Sequence, residues 1–172
     1  MNISRIEKQH TIYEVGKGSG FTSEYLNSKG YSIKTIDIDE NKNPDLLLDI
    51  TKDQIPTSDA YIAFEILEHI PFLDAEKFIK TLKDNGTKYL VFSLPYAFKT
   101  FIWIEGFLLK YGGFKINLGK KRKSIISEHH YWELGINGHN VKSIKGILGK
   151  YNFKVVKDYK YRNHHFFVAE QG

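Results

Sequence analysis

The chain has 172 residues, 41% of them hydrophobic and 26% charged, which is typical of one folded domain (1–172) and not of a disordered chain. It has no cysteine, which excludes disulfides, zinc–thiolate sites and thiol nucleophiles. The net charge of +5 is compatible with an anionic substrate or nucleic acid, although a mildly basic enzyme is the simpler interpretation. The longest apolar run is shorter than the ~20 residues that span a bilayer, and the N-terminus lacks the apolar core of a signal peptide. We therefore expect a cytoplasmic protein with no transmembrane segment.

Strand and helix patterns alternate along the chain. Strands are predicted at 11–15, 31–38, 46–50, 59–66 and 87–94, with helices at 21–28 and 74–86. This alternation predicts an α/β fold with a doubly wound, mostly parallel sheet. After a helix at 140–152, two strands at 153–161 and 164–170 are too close together for a crossover helix. They predict a C-terminal antiparallel hairpin, which completes a seven-stranded sheet.

A segment of roughly 40 residues, 96–135, interrupts this pattern after the fifth strand. A connection of this length in a compact domain is usually functional, so we predict a substrate lid or wall. Its first part, 99–111, is apolar nearly all round and predicts an aromatic helix that is buried or pairs with a second copy in a homo-oligomer. The basic run 120–123 is compatible with a phosphate backbone. The predicted substrate-binding residues are His129, Tyr131 and Trp132.

A glycine cluster, EVGKGSGF, follows the first strand. A dinucleotide fingerprint requires G-x-G-x-x-G, and Phe21 stands where the third glycine would follow Gly16 and Gly18. A P-loop requires Lys-Ser or Lys-Thr after its glycines, which this stretch lacks. Glu14, just before the cluster, would repel a pyrophosphate but would suit a ligand that carries an ammonium group.

Acidic residues also end the next two strands. Asp37 lies 19 residues after Gly18, near the spacing that places a carboxylate on ribose hydroxyls. Asp49 could accept from an adenine amino group, with Ile38 and Ile50 packed on the ring faces. Each carboxylate alone is more simply a cap or turn residue. Three of them at the carboxyl ends of consecutive strands indicate one ligand site.

Together the motifs EVGKGSG, TIDID, LLLDI and FEILEHIP resemble class I S-adenosylmethionine-dependent methyltransferases over about residues 11–95 and, through the strand order, in the C-terminal hairpin. The resemblance implies S-adenosylmethionine as cofactor. The residues it assigns to the cofactor are Glu14, Gly16, Gly18, Gly20, Asp37, Ile38, Asp49, Ile50 and Glu65. Only about ten residues precede the first strand, so the leading helices of that family are almost absent and we expect a more open cofactor cleft.

The FEILEHIP segment places Glu65, Glu68 and His69 at helical spacing. We predict His69 as the catalytic base, with His130 as the second candidate. The alternative is a divalent metal site formed by Glu65, Glu68, His69 and His130. This spacing is similar to that of metal-dependent 2′-O-methyltransferases of small-RNA 3′ ends and of quinone-pathway O-methyltransferases, and in the RNA enzymes a later histidine precedes a glutamate, as His130 precedes Glu133 here.

The sequence thus predicts methyl transfer from S-adenosylmethionine to an oxygen or nitrogen of a small-molecule acceptor. Metal-assisted RNA 2′-O-methylation is one alternative, with nucleic acid as partner. A non-catalytic cofactor-binding partner subunit is another. An NAD-dependent oxidoreductase is the third, and Glu14, Asp49 and the missing third glycine argue against it.

Overall fold

The computed structural model describes residues 6–108, 112–125 and 127–172; within 98–121 it describes only the side chains of Ile104 and Lys120. The helices are α1 (Phe21–Ser28), α2 (Phe72–Asp84) and α3 (Val141–Lys150). The strands are β1 (Thr11–Val15), β2 (Ser32–Asp37), β3 (Leu46–Leu47), β4 (Ala60–Phe64), β5 (Tyr89–Pro95), β6 (Phe98–Leu108), β7 (Gly112–Lys121), β8 (Phe153–Tyr161) and β9 (His164–Gln171). Two short 3-10 helices, Glu40–Lys42 and Leu67–His69, follow β2 and β4.

Seven of these strands form one sheet in the order β3-β2-β1-β4-β5-β9-β8. The first five are parallel, and β9 runs antiparallel to both β5 and β8. The predicted fold class is therefore confirmed, including the C-terminal hairpin. The strand order reverses between β1 and β4, and ligands of open α/β sheets bind at such a switch point, outside the carboxyl ends of the strands.

The two faces of the sheet are covered unequally. The larger core cluster holds Phe78 and Leu82 of α2 and Leu148 of α3, which pack against inward-facing residues of the sheet. The smaller cluster, on the opposite face, takes Leu26 from α1 and Ile62 from β4. Of the three described α-helices, only α1 therefore covers the second face, which follows from the short N-terminus and the 3-10 helix that replaces a full crossover helix after β2.

The aromatic helix predicted at 99–111 is wrong. The backbone of 98–108 is strand β6, which pairs with β7 in a separate two-stranded antiparallel sheet; Ile104 lies opposite Ile116 in the register. Residues 109–111 lie outside the described part. A nearly continuous apolar run has no period that separates helix from strand, and here its β-branched and aromatic residues favour strand. An oligomer contact through such a helix is thus corrected in its geometry.

Smaller differences lie at element ends. β3 is two residues long instead of five, and α2 begins at Phe72, directly after Pro71 in the N-cap position. α3 begins with a capping box between Asn140 and Ser143. Among the described helices, none has the length and apolar character of a membrane-spanning segment.

Candidate active site

The turn after β1 requires glycine. Gly16 donates its N–H to the carbonyl oxygen of Ile36 at 2.8 Å, which ties the turn to β2. Gly16, Gly18 and Gly20 have φ angles of 79°, 54° and 79°, in the left-handed region that favours glycine. A Cβ on Gly16 would lie 2.0 Å from Cδ1 of Ile66, so the turn also packs against the segment after β4. Gly20 is buried at the N-cap of α1.

A cleft of about 820 Å³ lies at the carboxyl ends of β1, β2 and β4. Six of the residues predicted to bind the cofactor line it: Gly16, Gly18, Asp37, Ile38, Asp49 and Ile50. Five other predicted site residues also line it: Glu65, His69, His129, His130 and Tyr131. The sequence reading did not identify several other lining residues, among them Phe64, Ile66, Ile70 and Glu128. The apolar ones ended strands or turns and carried no polar signal.

Asp37 links the glycine turn to the loop after β2. Its Oδ2 accepts from the backbone N–H of Lys17 at 2.9 Å, and its Oδ1 accepts from the N–H of Asp39 at 3.0 Å. Each oxygen keeps a lone pair for a further donor. The half-buried carboxylate is thus held rigidly at the cleft, where a diol could donate to it.

Asp49 is held by its own loop. Oδ1 accepts from the N–H and the hydroxyl of Thr51 at 2.9 and 2.6 Å, and Oδ2 accepts from Nζ of Lys52 at 2.8 Å. The Lys52 ammonium and the Thr51 donors lower the pKa of Asp49 to about 2, so it is ionised at neutral pH. Ile38, 71% exposed, offers an uncovered apolar surface at the same edge of the cleft.

Three predicted site residues do not line the cleft. Glu14 is only 4% exposed and lies behind the glycine turn; burial raises its pKa, an effect that the hydroxyls of Ser23 and Thr22 partly offset. Its Oε2 has no hydrogen-bond partner among the described residues. Trp132 is 3% exposed and donates its indole N–H to the carbonyl oxygen of Ile70 at 3.1 Å, so it belongs to the core and not to a substrate wall. Gly20, the third, starts α1 instead.

Glu65 turns away from the predicted metal ligands. Its backbone has a φ of 54°, a strained value for a non-glycine residue. The hydroxyl of Ser93 donates to Oε1 at 2.6 Å, and Nδ1 of His164 lies 2.9 Å from Oε2, although its N–H does not point along that line. The Glu65 carboxylate raises the pKa of His164. The sequence reading missed both partners, because β5 and β9 bring them in from distant positions.

Glu68, His69 and His130 form a compact group, termed here the Glu68 cluster. One potential ligand atom from each lies within 4.8 Å of the others. Glu68 is fully buried, and neither carboxylate oxygen has a hydrogen-bond partner in the described part of the chain. Burial, assisted by the charges of Glu65 and Glu133, raises the pKa of Glu68 to about 8. A buried carboxylate without a donor fits a site that a cation would complete.

Outer contacts orient both histidine rings of the cluster. Nδ1 of His130 lies 2.9 Å from Oε1 of buried Glu133, whose other oxygen forms an ion pair with Arg122. Nδ1 of His69 lies 3.1 Å from the carbonyl oxygen of His129. When each Nδ1 carries the proton, each Nε2 is left with a free lone pair, the arrangement of histidine metal ligands. Burial and the neighbouring His130 lower the pKa of His69, which favours its neutral form.

No protein-family model matches the sequence, and no curated protein matches it. Solved structures do. An S-adenosylmethionine-dependent methyltransferase from Mesorhizobium loti has a TM-score of 0.66 at 13% identity, with 98% of this chain and 94% of that one covered. The 1,6-didemethyltoxoflavin-N1-methyltransferase of Burkholderia thailandensis, which holds its substrate and S-adenosylhomocysteine, has a TM-score of 0.63 at 8% identity, with 98% and 73% covered. A methyltransferase from Clostridium acetobutylicum has a TM-score of 0.61 at 11% identity, with 94% and 84% covered. The chain has the fold of the class I S-adenosylmethionine-dependent methyltransferases.

Proposed function

We propose that the protein binds S-adenosylmethionine in the 820 Å³ cleft and transfers its methyl group to an oxygen or nitrogen of a small-molecule acceptor. One observation carries the proposal: the glycine turn, Asp37 and Asp49 come from three separate strand ends and border the same cleft. A pyrophosphate would meet carboxylates there, whereas a ribose diol and an adenine amino group are hydrogen-bond donors that suit them.

In this proposal each part of the cleft binds one part of the cofactor. Asp37 accepts from the ribose hydroxyls, and Asp49 accepts from the adenine amino group. Ile38 and Ile50 pack on the faces of the adenine ring, and the glycine turn approaches the methionine part, with Glu65 nearby. The fold is shared with a methyltransferase that holds S-adenosylhomocysteine, which supports this orientation.

The chemistry is an in-line displacement. A lone pair of the acceptor forms the new bond to the methyl carbon while the sulfonium carbon–sulfur bond breaks, giving methylated acceptor, S-adenosylhomocysteine and one proton. Much of the rate enhancement comes from holding the two reactants in line. His69, kept neutral by its surroundings, is the base proposed to take the proton, with His130 as second candidate. His129 and Tyr131 border the acceptor side of the cleft.

A second candidate function is metal-assisted methylation of a hydroxyl, as in RNA 2′-O-methylation. The unpartnered, buried carboxylate of Glu68 favours it. Glu68, His69 and His130 would hold the ion, and Glu65, which bonds to Ser93 instead, would not. Two imidazoles with one carboxylate suit a transition-metal ion such as Mn²⁺ or Zn²⁺ better than Mg²⁺. A bound ion would lower the pKa of a coordinated hydroxyl group.

Calorimetric titration tests both candidates. S-adenosylhomocysteine should bind to the purified chain, and NAD at the same concentration should not. Binding of NAD but not of S-adenosylhomocysteine would contradict the proposal. For the metal, Mn²⁺ should bind to the wild type and lose affinity in His130→Ala. Equal Mn²⁺ affinity in the two proteins would exclude the Glu68 cluster as its site.

A further inference from the structure

A second cavity of about 520 Å³ lies on the sparsely covered face of the sheet, between α1 and β4. Four aromatic side chains border it: Phe21, Tyr25, Tyr31 and Phe64. Phe21 is 73% exposed and Tyr25 52%, and their rings stack with centroids 6.1 Å apart. Exposed, stacked aromatic rings beside a cavity of ligand size indicate a binding surface for a flat molecule.

The charge of this cavity is one-sided. Lys8 and Lys29 line it, and no carboxylate does. Across the described ranges, neither ammonium group has an ion-pair partner. Nζ of Lys29 lies 5.4 Å from the centroid of the Tyr25 ring, so a cation stands at the edge of the aromatic surface. An anionic group on a flat ligand would complement both ammonium groups.

The cavity also adjoins the cofactor cleft. Phe64 lines both, and Phe21 and Thr22 of the cavity directly follow Gly20 in the chain. Only the glycine turn and Phe64 therefore separate the two spaces. A ligand held on the Phe21–Tyr25 surface would lie beside the methionine end of a cofactor bound in the cleft.

We propose that this second cavity binds the methyl acceptor, an aromatic compound that carries a carboxylate or phosphate group. The inference rests on the proposed function, because it places the acceptor next to the cleft assigned to the cofactor. The aromatic rings hold the ring system, and Lys8 and Lys29 hold the anion. It also assigns a role to the face of the sheet that α1 leaves open.

Calorimetric titration with three probes of one shape tests the inference: 2-naphthoate, 2-naphthyl phosphate and the neutral 2-naphthamide. At least one anion should bind about tenfold more tightly than the amide, and the preferred anion identifies the acidic group. The variant Lys8→Ala/Lys29→Ala should lose about that factor for the anion and none for the amide. Lys77→Ala/Lys80→Ala on α2 is the control with the same change in net charge, and it should bind like the wild type. Circular dichroism checks that each variant is folded.

Three results would overturn the inference: no anion binds, the amide binds equally well, or the Lys8→Ala/Lys29→Ala variant binds the anion like the wild type. S-adenosylhomocysteine is titrated in parallel. If it binds while the naphthalene probes fail, the inference is wrong and the proposed function stands. If the anion binds through the two lysines but S-adenosylhomocysteine does not bind, the proposed function fails and the assignment of an acceptor fails with it.

Discussion

Nδ1 of His130 lies 2.9 Å from Oε1 of Glu133, and this contact determines which nitrogen of the ring is free to face Glu68. Glu133 is itself 1% exposed and paired with Arg122, so its position is fixed. The arrangement resembles the carboxylate–histidine pairs that hold metal ligands in one orientation. The segment after β7 thereby contributes to the Glu68 cluster from the opposite side of the cleft.

Replacing Glu133 tests this relationship. Glu133→Gln keeps the size of the side chain but removes the charge that holds the His130 proton on Nδ1. We expect the affinity for Mn²⁺ to fall about tenfold or more. Titration of Mn²⁺ followed by electron paramagnetic resonance measures it. Glu128→Gln, which removes a cleft-lining carboxylate outside the cluster, is the control and should bind Mn²⁺ like the wild type.

The burial of Glu68 predicts a pH-dependent stability. Its pKa is about 8 in the folded protein and has a model value of 4.5, so the folded state holds a proton that the unfolded state releases between these pH values. Stability from this group is complete below about pH 4.5 and is lost as the pH rises towards 8, by about 1.4 kcal/mol per unit. Urea unfolding across this range should show a shallower decline in Glu68→Gln. A decline as steep as in the wild type would show that Glu68 does not carry the effect.

The close approach of Gly16 to Ile66 predicts a graded effect of alanine substitution. Gly86→Ala should cost about 1–2 kcal/mol, because the left-handed backbone is strained but the space beside it is open. Gly16→Ala should cost more, because its Cβ would also lie 2.0 Å from Cδ1 of Ile66. Chemical denaturation gives both free energies of unfolding. Equal losses would mean that the Ile66 side chain moves aside without cost.

Asp37 is the carboxylate with free lone pairs at the ribose position. Asp37→Asn should weaken S-adenosylhomocysteine binding about tenfold, because one charged acceptor is replaced by a donor. Asp39→Asn changes the same loop at a residue outside the cleft lining and should leave the affinity within about twofold. Calorimetry compares the two variants. If both lose affinity equally, the effect belongs to the loop and not to a carboxylate–ribose contact.

Local patterns predicted much of the fold. The alternation of short apolar strands with helices such as α2 fixed the parallel order, and the closeness of β8 and β9 fixed the hairpin. The segment 98–108 could not be assigned in this way, because its apolar residues follow neither period and pairing with β7 decides the outcome.

The site was predictable where function depends on strand ends and not where it depends on distant contacts. Asp37 and Asp49 follow strands directly, so the sequence places them. Trp132 has the residue type of a substrate wall, but packing against Phe72 and the hydrogen bond to Ile70 draw it into the core. Likewise, the contact of Glu65 with Ser93 joins residues 28 positions apart, which no local pattern reveals.

Hydrogen–deuterium exchange with and without S-adenosylhomocysteine is the most direct test of the central claim, that the cleft is a cofactor site. The account predicts slower exchange at the amides of 16–20, 37–38 and 49–51, which come from three strand ends, and no change in α2. Unchanged exchange at saturating ligand, or protection that misses these three segments, would contradict it.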